Sequence, residues 1–139
     1  MLDQNIKVAA DAVVFYKSGT LLELLLVKRR YDLNKGMWAL PGGFVNDDEE
    51  LEAAAIRELE EETGLKLNAM KQLHTYGKVG RDSRGRCISV VHYAVIDNKG
   101  QTVKGGDDAA EAQWVNVKDI KELAFDHMDI LADALQVVC

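Results

Sequence analysis

Residues 43–65 read GFVNDDEELEAAAIRELEEETGL, and the fold turns on how this stretch is read. Its second half repeats with helical period. Asp47 and Asp48 stand as caps before Leu51, acids crowd the first turn, and Gly64 is placed to end a helix over 51–63. On a wheel of about 100° per residue, Glu62 falls about 40° from Glu58. Leu51, Ala54 and Ala55 lie within about 60° of Glu58, and Leu59, Thr63 and Ile56 extend the same arc. Two glutamates therefore sit in the face that should pack on a core, with Glu61 at its edge. Like charges at i and i+4 repel, and desolvated carboxylates are costly unless paired. Arg57 lies off the arc, where it is expected to satisfy an edge acid but not the whole group. A hard divalent cation with oxygen ligands resolves the conflict. An exposed, Glu-rich helix laced by pairs such as Arg57–Glu61 resolves it equally well.

The acidity is local. Residues 47–62 hold nine acids and one base, a net −8, so the rest of this −6 chain carries +2. Two basic clusters stand out: Lys28, Arg29, Arg30 and Lys35, then Lys78, Arg81, Arg84 and Arg86. The acidic balance argues against nonspecific nucleic-acid binding. An acidic knot beside basic loops suits a metal cation plus an anionic small molecule.

At 139 residues and 47% hydrophobic content, one globular domain over 1–139 is expected, with no disulfide framework needed. Cys87 and Cys139 alone fit a reducing, cytoplasmic setting. Residues 1–7 carry no secretory pattern. The apolar runs 21–27 and 88–96 are too short to span a membrane and contain Glu23 and His92, so no membrane partner is expected.

Outward from the central stretch, residues 8–16 and 21–30 read as strands, the second buried on both faces. Trp38 leads into Pro41-Gly42-Gly43, read as a sharp turn with close backbone approach. Residues 67–78 and 87–96 read as strands flanking the polar loop 80–85, and 113–117 as a short strand around Trp114. Residues 126–138 form an amphipathic helix. This order of elements predicts an α+β fold, a mixed sheet sandwiched between helices.

The spacing adds a specific signal. Gly43, five residues, Glu49, seven residues, then Arg57-Glu58-Leu59-Glu60-Glu61-Glu62-Thr63-Gly64-Leu65 matches without departure the G-x5-E-x7-R-E-U-x-E-E-x-G-U box of the Nudix hydrolases, U being aliphatic. Seven fixed and two aliphatic positions coincide by chance less than about once in a hundred million starts. The resemblance implies an α/β/α Nudix fold with the box as a loop–helix–loop, and magnesium or manganese as cofactor. It makes Glu58 and Glu62 the leading metal ligands, Glu61 a third ligand or general base, and Glu49 a looser ligand. Arg57 orients the glutamates, and Gly43 with Gly42 lets backbone approach the metal. The implied reaction is hydrolysis of a nucleoside diphosphate linked to another moiety.

Residues 38–45, residues 80–86 and Phe125-Asp126-His127 resemble the ADP-ribose pyrophosphatase branch, so the implied substrate is ADP-ribose, cleaved to AMP and ribose 5-phosphate. Arg81, Arg84 and Arg86 are read as the densest unpaired positive charge, placed to grip phosphates, and Arg30 joins them as a substrate-binding candidate. Tyr31, Trp38 or Tyr76 are candidates to stack an adenine. Two other readings share the box: a MutT-like nucleoside triphosphate pyrophosphohydrolase and a non-catalytic ADP-ribose sensor. Sensors of this branch carry a winged helix after the Nudix domain, for which this chain is expected to leave no room. Glu111, with Asp107 and Asp108 as competitors, is a candidate additional catalytic acid. His74, His92 and His127 lack metal-ligand spacing; His92 reads as a core or dimer residue and Cys87 as a buried small hydrophobe. A homodimer is a family expectation only.

Overall fold

The computed structural model describes residues 4–30, 34–100, 103–106 and 109–139. Its centre is β1 (Lys7–Ser18), whose alternation buries residues on both faces. Ala10, Ala12 and Val14 face one side, Val13 and Phe15 the other. β1 turns at Gly19, at φ +59°, into β2 (Leu21–Arg29). On its opposite edge β1 runs parallel to β6 (Cys87–Ile96) from Lys7↔Cys87 to Tyr16↔Ile96. β5 (Lys71–Tyr76) pairs antiparallel with β6, and β7 (Ala109–Asn116) with β2.

The β1–β2 pairing stops at Phe15↔Leu24. Beyond it the strands part, and residues 38–44 fill the opening. There β3 (Trp38–Ala39) pairs with Val27 and Lys28 of β2, and β4 (Gly42–Phe44) pairs with Ala9, Ala10 and Asp11 of β1. The predicted sharp turn is thus a wedge that bridges two diverging strands. Gly42 and Gly43 serve it by lacking a Cβ rather than by left-handed backbone. A Cβ on Gly42 would collide with Asp11 and the Ala10 carbonyl, and one on Gly43 with the Glu58 carboxylate.

Helix α1 (Leu51–Thr63) covers one face, where Ala54, Ala55 and Leu59 meet Ala10, Ala12, Val14, Leu25 and Val27. Helix α2 (His127–Val138) covers the other, with Ile130, Leu131 and Ala134 against Val13, Phe15, Leu24 and Val91. The expected α/β/α sandwich is present. α1 ends at Gly64 in left-handed backbone, whose N–H meets Glu60 O at 2.8 Å. Its start departs from expectation: Glu50 holds the cap position without a side-chain hydrogen bond, and Asp47 and Asp48 are exposed. Leu51, assigned to the inner arc, is 37% exposed, so the buried face of α1 begins at Ala54. β5 begins at Lys71, paired with Tyr93, four residues later than the expected start at 67; Leu67 packs on the α1-side core as a loop residue. β7 extends N-terminal to the expected 113–117, because β2 offers a free edge as far as Arg29. Among the described residues no helix is long and apolar enough to cross a membrane.

Candidate active site

Where β1 and β2 part, the wedge, the two helices and the loop before β6 enclose a cleft of about 790 Å³. That is ample for a nucleotide-sized ligand. One wall is α1, which presents Glu58, Glu61 and Glu62. Glu62 is buried, and the Gly42 N–H donates to its Oε1 at 2.7 Å. The inner-face assignment of Glu58 and Glu62 is therefore correct, and Glu60, pointing outward, pairs with Lys66 at 3.5 Å.

Arg57 reaches much further than the wheel allows. Its Nε and one terminal nitrogen clasp Glu49 at 2.6 and 2.9 Å. Its other terminal nitrogen reaches Glu58 Oε1 at 3.1 Å and both oxygens of Glu61 at 3.0 Å. One guanidinium thus gathers three acids, and Arg57 also holds the Phe44 carbonyl at 3.2 Å. The expectation that it serves one edge acid is corrected. The hydrogen bond from Arg57 pulls the Glu49 carboxyl below its usual range.

Among the described residues no three His, Cys, Asp or Glu side chains are already grouped as a metal site, and Arg57 occupies oxygens of three of the box acids. The donor set still fits a hard divalent cation. Glu58, Glu61 and Glu62 supply carboxylate oxygens to one cleft, and the space a Gly43 Cβ would fill lets that backbone lie against the Glu58 carboxylate.

The other walls add Asp11, which the sequence reading passed over, to residues it had noted without placing them in a cleft. Asp11, alone among apolar neighbours in β1, is buried and lines the cleft. Burial pushes its carboxyl up to about 6, against the opposing pull of a Ser89 hydrogen bond and of Arg81. Lys28 and Arg29 enter from β2. Phe125, at φ +54°, lies under Arg29 at 4.7 Å and Arg84 at 5.5 Å. His127 opens α2, and its Nδ1 accepts the Leu40 N–H at 3.0 Å. Burial depresses its pKa to about 4, so the ring is neutral at pH 7. The odd charge in an apolar strand was the available signal for Asp11; Arg29 was marked only as part of a basic cluster, and Phe125 and His127 only by the resemblance of residues 125–127.

That burial gives a pH dependence. The unfolded ring titrates near 6.5 and the folded one near 4, so between these values the unfolded state binds more protons and stability falls as pH drops. By pH 4.5 the loss is roughly 2–3 kcal/mol. Asp11, raised to about 6, works with the opposite sign between its ordinary 3.8 and about 6, so the difference between variants is the readout. Urea unfolding of wild type and His127→Asn at pH 7 and 4.5 is expected to show the larger acid loss in wild type. Equal losses would remove His127 as the cause.

A model of the family described as the NUDIX domain matches residues 5–134. The chain belongs to the NUDIX family. It is 42% identical over 114 residues to an ADP-ribose pyrophosphatase of Methanocaldococcus jannaschii, covering 82% of this chain and 66% of that one. It is 35% identical over 130 residues to the ADPR responsive transcriptional repressor NtrR of Acinetobacter baylyi, covering 89% of this chain and 51% of that one. The chain thus spans about two-thirds or less of these relatives. The NUDIX domain of Shewanella oneidensis NrtR complexed with ADP ribose superposes with a TM-score of 0.90 at 30% identity, over 99% of this chain and 91% of that one.

Within this NUDIX domain the remaining candidates are dispersed. The Arg81 side chain is 5% exposed and far from unpaired: it clasps Asp126 at 2.7 and 2.9 Å and donates to Ser89 Oγ at 2.8 Å. Arg84 lines the cleft while pairing with Asp82 at 2.8 Å. The loop is therefore not a free cationic patch, because Asp126, far away in sequence, folds back onto it. Arg86 and Arg30 are not among the residues lining the cleft. Trp38 and Tyr76 pack on the α2-side core, the Tyr76 hydroxyl reaching Asp133 at 2.7 Å. Glu49 is held by Arg57 behind the cleft wall. Glu111 faces Lys28 across the β2–β7 ladder at 3.8 Å, outside the cleft. His92 and Cys87 are buried as expected. Tyr31, Asp107 and Asp108 lie outside the described residues.

Proposed function

We propose that this chain hydrolyses ADP-ribose to AMP and ribose 5-phosphate with the help of magnesium or manganese. The observation that carries the reading is one cleft in which three box glutamates on α1 face a wall bearing Lys28, Arg29 and Arg84. An anionic diphosphate is attracted by the cationic wall, and its reacting phosphorus is brought to the glutamates. Glu58, Glu62 and Glu61, with the Gly43 backbone, are the groups that would hold the cation. A bound cation neutralises the diphosphate and makes water a stronger acid. Glu61, at the cleft edge, takes the proton as water attacks phosphorus and the anhydride P–O bond breaks. Arg57 keeps Glu58 and Glu61 at fixed positions relative to each other. The M. jannaschii relative supports the substrate, and the ligand-bound NrtR domain supports ADP-ribose fitting this fold.

The A. baylyi repressor favours a second reading, a sensor that binds ADP-ribose without cleaving it. A substrate panel separates the two. With magnesium and ADP-ribose, diadenosine polyphosphates, NADH and nucleoside triphosphates, the expected products are AMP and ribose 5-phosphate from ADP-ribose. Tight binding without turnover selects the sensor. An oxidised deoxynucleoside triphosphate outpacing ADP-ribose tenfold in kcat/KM selects a triphosphate house-cleaning enzyme instead.

A further inference from the structure

We propose that the cleft wall built from Asp11, Ser89 and His127 binds the hydroxyl groups of the sugar beyond the diphosphate, with His127 Nε2–H as a fixed donor. This rests on the ADP-ribose reading above.

The parallel register Ala9↔Ser89 and Asp11↔Val91 puts Asp11 and Ser89 on the sheet face that α2 covers. His127 begins that helix. All three are buried, at 7%, 2% and 5% exposure, yet all three line the cleft. None belongs to the glutamate wall.

The chemistry here is that of a neutral polar ligand. Asp126 and Asp11 are the acids facing His127 and Arg81, and Arg81 and Arg29 are the bases. Arg81 is committed to Asp126 through two hydrogen bonds and to Ser89 through a third. With Arg81 so committed and Arg29 turned to the cationic wall, the two acids leave this corner no surplus positive charge for a phosphate. It offers hydrogen bonds of both senses. Asp11 accepts toward the cleft, while Ser89, donating to Asp11 and accepting from Arg81, holds that carboxylate in place.

His127 supplies the donor, and its direction is set by the backbone. Because Nδ1 accepts the Leu40 N–H, the neutral ring must carry its proton on Nε2. Among the described residues no oxygen accepts from that nitrogen. A sugar hydroxyl donates and accepts at once, which is what adjacent carboxylate and N–H groups reward. A site built this way discriminates against an analogue lacking the hydroxyl, because its buried polar groups are then left unmatched.

Two variants test this. His127→Asn keeps an acceptor for Leu40 N–H but withdraws the donor from the cleft; His127→Gln extends a donor while giving up the Leu40 acceptor. The ligands are ADP-ribose and an ADP ester whose distal group is a cyclopentane without hydroxyls, measured by calorimetry without metal and by steady-state kinetics. His127→Asn is expected to melt near wild type and to weaken ADP-ribose binding about tenfold, raising KM with little change in kcat. The hydroxyl-free ester is expected to bind wild type and variant alike. His127→Gln is expected to melt lower yet to retain more of the ADP-ribose affinity. Equal losses for both ligands, or no loss for either, overturns the proposal. A wild type that binds ADP-ribose with this His127 dependence but never cleaves it refutes the hydrolase reading alone. Cleavage indifferent to residue 127 refutes this proposal alone, and absence of ADP-ribose binding both in chelator and in magnesium refutes both.

Discussion

Removing divalent cations is expected to abolish hydrolysis, and restoring magnesium or manganese to recover it. The reason lies in how the box acids are balanced. Glu58 and Glu62 stand one turn apart on the buried side of α1, Glu62 buried and Glu58 with its side chain 15% exposed. Arg57 brings a single positive charge to Glu49, Glu58 and Glu61 together. One guanidinium does not neutralise three carboxylates, and a diphosphate entering beside them adds more negative charge. A divalent cation relieves both repulsions. Because only the folded chain gathers these oxygens, the same cation is expected to raise Tm, by about 2.7 kcal/mol of added stability at a hundredfold excess over Kd. The check is turnover and melting in chelator, then in graded magnesium. Undiminished turnover in excess chelator would sink the mechanism.

Glu58→Gln and Glu62→Gln are each expected to lower the rate at least about a hundredfold, near 3 kcal/mol in the barrier. Folding is not expected to suffer with metal absent. Gln at 62 retains an oxygen for the Gly42 N–H, which now meets Glu62 Oε1 at 2.7 Å. Like-charge repulsion along α1 also falls. The control is Glu60→Gln. Glu60 is exposed and pairs with Lys66 at the surface, so its loss is expected to leave turnover near wild type. Kinetics and metal-free urea melts on all three variants decide the matter. A Glu60 variant as damaged as the other two would mean that α1 faces the cleft differently.

The first two effects were legible in the chain because they depend on spacing within one helix. A 3.6-residue period fixes which Cβ atoms share a face, and the box residues carry their pattern in consecutive order. The strands and the α/β/α layering were legible for the same local reason: burial on two faces of β2 is written in its near-continuous leucines. Arg57 shows where this fails. A helical wheel locates its Cβ, but several rotatable bonds carry the guanidinium to Glu49 on the preceding loop as well as to Glu58 and Glu61. The Arg81 loop fails similarly: its charge was visible, its partner was not, because Asp126 arrives from the start of α2.

Tertiary structure alone decided the cleft. Asp11 reaches it through the β1–β6 register, Arg29 and Phe125 through the parting of β1 and β2 and the docking of α2, and His127 through one bond to the wedge at Leu40. The sequence by itself determined the box, its helix and the two-faced strand β2, because each follows from the chemistry and periodicity of neighbouring residues. Which distant charges cancel, and which buried groups are left to meet a ligand, depends on contacts between residues far apart in the chain, and no local period encodes those.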